Sequence, residues 1–556
     1  MKYRIHIPAF LFLALVGSAS ARIYTTSAQT SPVIYPAPDG ESPSALFEVQ
    51  VADQGTMRSS FVYSDPARDV ITSGNYGTDF QKGRSFNWTT FEIDRPTLVR
   101  VTHLRGVFKS VKLRPTRYGL RARTINRNTI EFTILPKQKV SVEFDTSITK
   151  CYHDAVDCVR DILMIFADQK ESESPLANTS ADDIYRPAPG NYASTATISG
   201  IQAPVVSTLG NANNKKVVVF GPGVYTIGYW EVPNHVEQIH IEGGAIVYGA
   251  INVIPQGPAP SAEDYLNKAF QFTLRNSFKL TGHGVLSGRK IPWHMTQDFN
   301  YCPDDCWWKI ARLVRLNATN ITVTDVTLAD SPYWNISVAN DADSRPTGVL
   351  RGFKIIGAWA FNNDGTVSPR NGRIEDCFVQ AYDDSIKLTQ SGSNVERCVI
   401  WQFGNGANFQ MGWYAKSISN VHVADIDVIH SENWWGKNDN AGLLSFTHGP
   451  GNGLIQDLSF TNINLEDKLM RLVGLYPESG QKIDRVTFSN INVDAWGNER
   501  FSSDQFNILD ASNGGSISNL TFGNLKVRGK LVTNSNHTSY GRFRLVGNTS
   551  NIVFKP

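Results

Sequence analysis

Five ten-residue stretches share one pattern: TNITVTDVTL from 319, SNVHVADIDV from 419, QDLSFTNINL from 456, DRVTFSNINV from 484 and SNLTFGNLKV from 518. Apolar residues occupy the third, fifth, eighth and tenth positions, and Asp or Asn occupies the seventh in all five. Alternation within each half marks a short strand. The break in phase between the halves demands a turn, and Asn or Asp there tolerates a left-handed backbone. The copies recur at uneven intervals, which disfavours a fixed-length helical repeat. A right-handed parallel β-helix suits this pattern, because coils stack in register while loops of any length leave one face. An irregular multi-sheet sandwich is the competing fold. The 556 residues exceed one compact core, but a solenoid escapes that limit.

The chain before the repeats reads differently. Over 45–168, LFEVQVA, FNWTTFEI, TLVRVTHL, TIEFTIL and KVSVEFD alternate with period two, which predicts an antiparallel β-sandwich with one wet face per sheet. Residues 169–198 are polar and Pro-rich and read as a linker. The expected class is therefore all-β: an N-terminal β-sandwich, then a right-handed parallel β-helix domain over 199–556. Ahead of both, Lys2 and Arg4 precede the apolar run IPAFLFLALVG and the small-residue stretch SASA. This predicts a signal peptide over 1–21 and an N-terminal extension over 22–44, with an uncleaved anchor as the alternative. No later stretch is apolar for long enough to span a bilayer. The expected protein is secreted, extracellular and free of the membrane.

Charge and cysteine narrow the partners. Lys and Arg total 53 against 51 Asp and Glu, so there is no basic footprint for nucleic acid. Eight N-x-S/T sequons, at Asn87, Asn178, Asn317, Asn320, Asn335, Asn519, Asn536 and Asn548, offer glycan acceptors in a secreted protein. Cys151 with Cys158, and Cys302 with Cys306, are spaced to close small loops in an oxidising compartment. No Cys or His cluster accompanies CPDDC, so metal ligation there is disfavoured, and neither metal nor cofactor is expected. IEDCFV from 374 and VERCVI from 395 repeat at an offset of 21, which stacks Cys377 and Cys398 on neighbouring coils. A disulfide and a buried reduced pair both fit that geometry. A monomer is expected.

The same offset brings acids together. Asp364 precedes Asp383 by 19 residues and Asp384 by 20, about one coil. Crowded carboxylates raise one another's pKa, and a protonated acid beside an ionised base is what glycosidic cleavage requires. Adjacent strand residues face opposite ways, so the backbone must turn or bulge at Asp383-Asp384 for both to face one cleft. Asp376, in the strand-like IEDCFV, reads as structural.

Taken with DG at 364, YDDSIKL at 382, VIWQFGNGANFQMGW at 399, DVIHS at 427, GPGVY at 221, GHGVLSG at 282 and KVSVEFD at 139, the chain resembles glycoside hydrolase family 49, the dextranases and isopullulanase. The resemblance spans roughly 45–548 and implies a β-sandwich joined to a right-handed parallel β-helix. It implies Asp383 as general acid, with Asp364 and Asp384 activating water. It also implies inversion of the anomeric centre, for which acid and base stand roughly 6.5–9.5 Å apart. Lys387, Gln410, Trp413, His430 and Arg471 match family positions and are expected to bind substrate, with Lys387 alternatively orienting a carboxylate and His430, a lone histidine at a strand end, alternatively structural. Trp413 is either a sugar platform or a core plug. Departures flank the acids: Asn363 where Thr is usual, Gln402 where Lys is usual, and TQSG at 389 in place of a Tyr-bearing stretch.

The expected substrate is a polysaccharide, dextran first and pullulan second, cut within the chain. The resemblance extends in part to polygalacturonase-like hydrolases, but Arg471-Leu472-Val473 lacks the lysine of their Arg-x-Lys grip on a uronate. A non-catalytic carbohydrate-binding β-helix is the rival from another class, and it has no need of three acids.

Overall fold

The computed structural model describes residues 31–67, 81, 83–151, 156–171, 174–254, 273–302, 309–338, 345–411, 417–433, 440–446, 452–497 and 506–556. The expected signal peptide lies outside the described residues. From Ile184 onward, 33 strands join one hydrogen-bonded network; apart from Ala193–Ile198 and Lys530–Leu531, which pair antiparallel, its strands pair in parallel from coil to coil. Three ladders run along the solenoid. One contains Thr347–Arg351, Arg373–Glu375 and Asn394–Glu396. A second contains Lys354–Ile356, Phe378–Ala381 and Val399–Gln402. The third runs through Thr366–Val367, Ile386–Lys387, Ala407–Met411, Gly442–Phe446 and Val473–Leu475. This is a parallel β-helix.

The ten-residue pattern maps onto it closely. Asp325, Asp425, Asn462, Asn490 and Asn524, all seventh positions, have φ between 49° and 66°. Their amides form a ladder between coils, Asn462 to Asp425, Asn490 to Asn462 and Asn524 to Asn490, at 2.9–3.2 Å. The fifth positions fill the interior: Phe460, Phe488 and Phe522 stack nearly parallel at 4.9–5.0 Å, and Phe554 extends the column. Cys377 and Cys398 lie in adjacent coils with Cα atoms 4.7 Å apart and are disulfide-bonded, as are Cys151 and Cys158. Cys302 is bonded as well, and Cys306 lies outside the described residues.

The sandwich departs from expectation in one sheet. Phe47–Asp53, Thr97–His103 and Thr129–Ile134 pair antiparallel, as the alternation predicted. Asp161–Asp168, however, pairs in parallel with Ser85–Glu92 and is buried along its whole length. Its alternate residues enter different cores. Leu163, Ile165 and Ala167 face the sandwich interior, whereas Ile162, Met164 and Phe166 pack with Trp359, Phe378, Tyr382 and Trp401 of the β-helix. This sheet has no wet face because the helix covers it.

Two boundaries move as well. Val33–Ile34, in the expected N-terminal extension, is an edge strand of the sandwich. The expected linker 169–198 contains Ile184–Tyr185, Gly190–Asn191 and Ala193–Ile198, which belong to the β-helix network. Its polar composition suits an outermost coil, where fewer side chains face a core.

Candidate active site

Asp364, Asp383 and Asp384 come together at the corners leading into the third ladder. The strand Phe378–Ala381 ends, the chain bends through Tyr382 and Asp383, and Ile386–Lys387 begins the next strand. The adjacent acids thus occupy a corner, which lets both face one patch. One coil earlier, Asp364 precedes Thr366–Val367, and the Gly365 N–H donates to the Asp384 carbonyl at 2.8 Å. One oxygen from each carboxylate lies within 4.8 Å of the others. That is tighter than the spacing expected from the sequence. All three side chains are buried.

Lys387 contacts two of the three acids. Its ammonium lies 2.7 Å from Asp364 Oδ2 and 2.5 Å from Asp384 Oδ2. Burial lowers the pKa of this lysine, but Asp364, Asp384 and Asp383 more than offset it and hold the ammonium well above its usual range. Three clustered carboxylates are also a cation-binding arrangement, and Lys387 supplies the positive charge there. Asp383 meets neutral donors: Oδ2 accepts from Asn405 Nδ2 at 2.7 Å and Oδ1 from the Asp384 N–H at 3.0 Å. Burial, then the neighbouring Asp384 charge, push Asp383 up to about 6. Burial pushes Asp364 well up too, against the opposing pull of Lys387. The ammonium pulls against burial at Asp364, whereas the hydrogen-bond partners of Asp383 carry no charge.

A polar frame holds these groups. Asp384 Oδ1 accepts from Asn440 Nδ2 at 2.7 Å and the Ala407 N–H at 3.1 Å. Asn335 Nδ2 donates to the Asp364 carbonyl at 2.8 Å. Gln402 donates to the Asp383 carbonyl at 2.8 Å and accepts from Ser385 Oγ at 2.6 Å. Gly406, at φ 74°, lies against the Asp383–Asp384 peptide; a Cβ there would meet two of its atoms at 2.4 Å. Asn363 donates to the carbonyls of Ser331 and Tyr333 at 2.9 and 2.8 Å, fixing the segment that carries Trp334. Trp334 is half-buried, with the Lys387 ammonium 4.7 Å from its ring. Asn405, Asn440 and Trp334 carry no signal in a single sequence beyond ordinary turn chemistry. Gln402 and Asn363 were visible as departures from the family pattern, but without their partners.

The remaining expected residues scatter. Gln410 pairs in register with Lys387 on the next coil; its Nε2 donates to the Met411 carbonyl and its buried Oε1 meets no donor among the described residues. Arg471 sits two coils beyond and donates to the Tyr476 hydroxyl at 2.6 Å. Trp413 lies outside the described residues. His430 is not brought to the carboxylates. Its Nε2 meets Glu143 of the sandwich at 2.8 Å, its Nδ1 meets Asp467 at 3.1 Å, and it stacks on Trp401. Those contacts place it in the seam between sandwich and helix, in keeping with the structural alternative. Asp376, at φ 53°, pairs with Arg397 and Lys137, in keeping with a structural role.

No family model matches the chain. It is 22% identical over 522 residues to a dextranase of Arthrobacter sp. (strain CB-8), covering 83% of this chain and 76% of that one. It is 24% identical over 487 residues to an isopullulanase of Aspergillus niger, covering 82% and 79%. Dex49A from Penicillium minioluteum shares the fold at a TM-score of 0.75 and 20% identity, covering 94% of this chain and 96% of that one. The chain is thus a β-sandwich and β-helix protein of the glycoside hydrolase class. Within that class it is a relative of the dextranases and isopullulanase, the family 49 enzymes that its motifs resemble.

Proposed function

We propose that the protein is a secreted hydrolase of neutral α-glucans, acting within the chain on dextran first and pullulan second, with inversion at the anomeric carbon. The observation that carries this reading is the division of three buried carboxylates by one ammonium. Asp383, without a cation contact, keeps a proton for the leaving glycosidic oxygen. Asp364 and Asp384, both in contact with Lys387, orient a water and take its proton. Asp364 Oδ1 is buried with no donor among the described residues. The C–O bond to the leaving sugar breaks as the water oxygen bonds to the anomeric carbon. One proton passes to the leaving oxygen and one to the base pair.

The neutral class follows from the charges. The patch is rich in carboxylates, Lys387 is already ion-paired, and a uronate would find repulsion rather than a grip. The test is hydrolysis of dextran, pullulan and polygalacturonate by the wild type and by Asp383→Asn. Cleavage of a glucan by the wild type and a collapse in the variant are expected. Activity confined to polygalacturonate would overturn the substrate reading. The 4.8 Å approach of the carboxylate oxygens is nearer the roughly 5–5.5 Å of retaining enzymes than the wider gap of inverting ones. Proton NMR of the first product therefore checks the stereochemistry separately: an inverted anomer is expected, and a retained one would make one carboxylate a nucleophile.

A further inference from the structure

We propose that Arg84, on the sandwich, is a positioning residue for Asp383, acting across the domain seam through Phe403 and Glu432 on the loop 402–406. This rests on the reading of Asp383 as the general acid.

Arg84 is among the most deeply buried side chains of the molecule. Its two terminal nitrogens grip both oxygens of Glu432 at 2.7 and 3.0 Å. Its remaining donors hold the Val159 carbonyl and Gln81, so the guanidinium is tied to the sandwich on one side and to the helix on the other. Its plane lies over the Phe403 ring at 4.5 Å.

Both partners lead to the acid. Phe403 opens the turn Phe403-Gly404-Asn405-Gly406, its ring is edge-on to Tyr382, and its N–H donates to the Ala381 carbonyl. Asn405, two residues on, donates to the Asp383 carboxylate, and its own N–H is held by the Tyr382 carbonyl at 2.9 Å. Glu432 accepts from Trp401 Nε1 at 3.0 Å, and its N–H donates to the Gln402 carbonyl. Asn433 then donates to the Gly406 carbonyl at 2.9 Å, closing the far end of the turn. The loop that carries the Asp383 hydrogen bond is therefore held at one end by Phe403, which Arg84 covers, and at the other by Asn433, the chain neighbour of its partner Glu432.

A buried Arg–Glu pair is a poor route to stability, because desolvation cancels much of its attraction. Fixed geometry is what a bidentate guanidinium supplies. If the clamp is released, Asn405 no longer reaches Asp383, the ionised form loses a donor, and the acid titrates higher. Asp364, Asp384 and Lys387, which also face Asp383, stay in place, so the shift reports the loop.

The experiment compares wild type, Arg84→Lys, and Arg84→Met combined with Glu432→Gln, which leaves no unpaired charge in the seam. Each is assayed on dextran and pullulan across pH, with folding followed by circular dichroism. The combined variant is expected to fold and to lose about 10²-fold in kcat with little change in KM, the scale of a small misplacement of a reacting group. Its alkaline limb is expected to move to higher pH, and Arg84→Lys to recover part of the rate. An unchanged kcat would overturn the proposal, as would a fall in rate with the alkaline limb unmoved. A wild type inactive on every glucan, or an Asp383→Asn variant as active as wild type, would overturn the underlying reading and this proposal with it.

Discussion

At the scale of single residues, the site depends on one ammonium among three carboxylates. With Asp383 at about 6, kcat/KM is expected to fall as pH rises through 6, because the proton needed by the leaving group is lost. Asp383→Asn is expected to lower kcat by roughly 10²–10⁴-fold. Lys387→Met removes the countercharge of two buried carboxylates and is expected to cost about 3–5 kcal/mol at neutral pH. That cost shrinks at lower pH as the acids take up protons, so urea titrations at pH 7 and pH 4.5 check it. Sequon use is also decided residue by residue. Asn87, Asn317 and Asn335 are buried, and their amides donate to Ile162, Val253 and Asp364 carbonyls. Asn178, Asn320, Asn519 and Asn548 are exposed. Glycopeptide mapping of protein from a eukaryotic secretory host is expected to find sugar within the second group and none in the first. The acids were legible in the sequence because their spacing matches a coil. Their hydrogen-bonding frame was not, since Asn440 and Asn405 reach Asp384 and Asp383 from later coils through unremarkable turns. The contacts of His430 were not legible either, because a motif position says nothing about which domain will press against it.

Among elements, the hinge between paired strands was the most readable feature, and the reason is steric. A left-handed turn excludes most side chains, so the seventh position announces itself as Asn or Asp. The second positions also carry positive φ at Asn420, Asp457, Arg485 and Asn519, but with mixed residue types they escaped notice. Asn490 bonds to both neighbours in the ladder. Asn490→Ala is expected to destabilise by about 1–2 kcal/mol through backbone strain alone, with the lost amide contacts added. Asn490→Gly removes the strain and is expected to cost less than Asn490→Ala; the order of their denaturant midpoints is the check. The parallel strand Asp161–Asp168 was harder to see. Its even hydrophobicity on both faces fits burial, but period-two neighbours suggested a wet side.

For the molecule as a whole, the seam between sandwich and helix is charged as well as apolar. His430 is buried between Glu143 and Asp467. Burial lowers its pKa, yet Glu143 and Asp467 more than offset that and raise it to about 9. The folded pKa exceeds the unfolded value of about 6.5, so this contribution is complete below pH 6.5 and is lost as pH rises through 9. It is on the order of 3 kcal/mol. Melting temperature is expected to decline between those limits in the wild type, and the decline to flatten in His430→Gln. A wild-type curve level from pH 6.5 to 9 would count against the charged histidine.

That seam also bears on inheritance. Trp88 and Phe166 on one side, and Trp401 and Phe378 on the other, belong to one cluster although long stretches of chain separate them. A crossover between residues 169 and 183 would join each half to a surface shaped by a different ancestor. Loops leaving the solenoid can be exchanged among relatives coil by coil. The sandwich and the coils beneath it can only descend together.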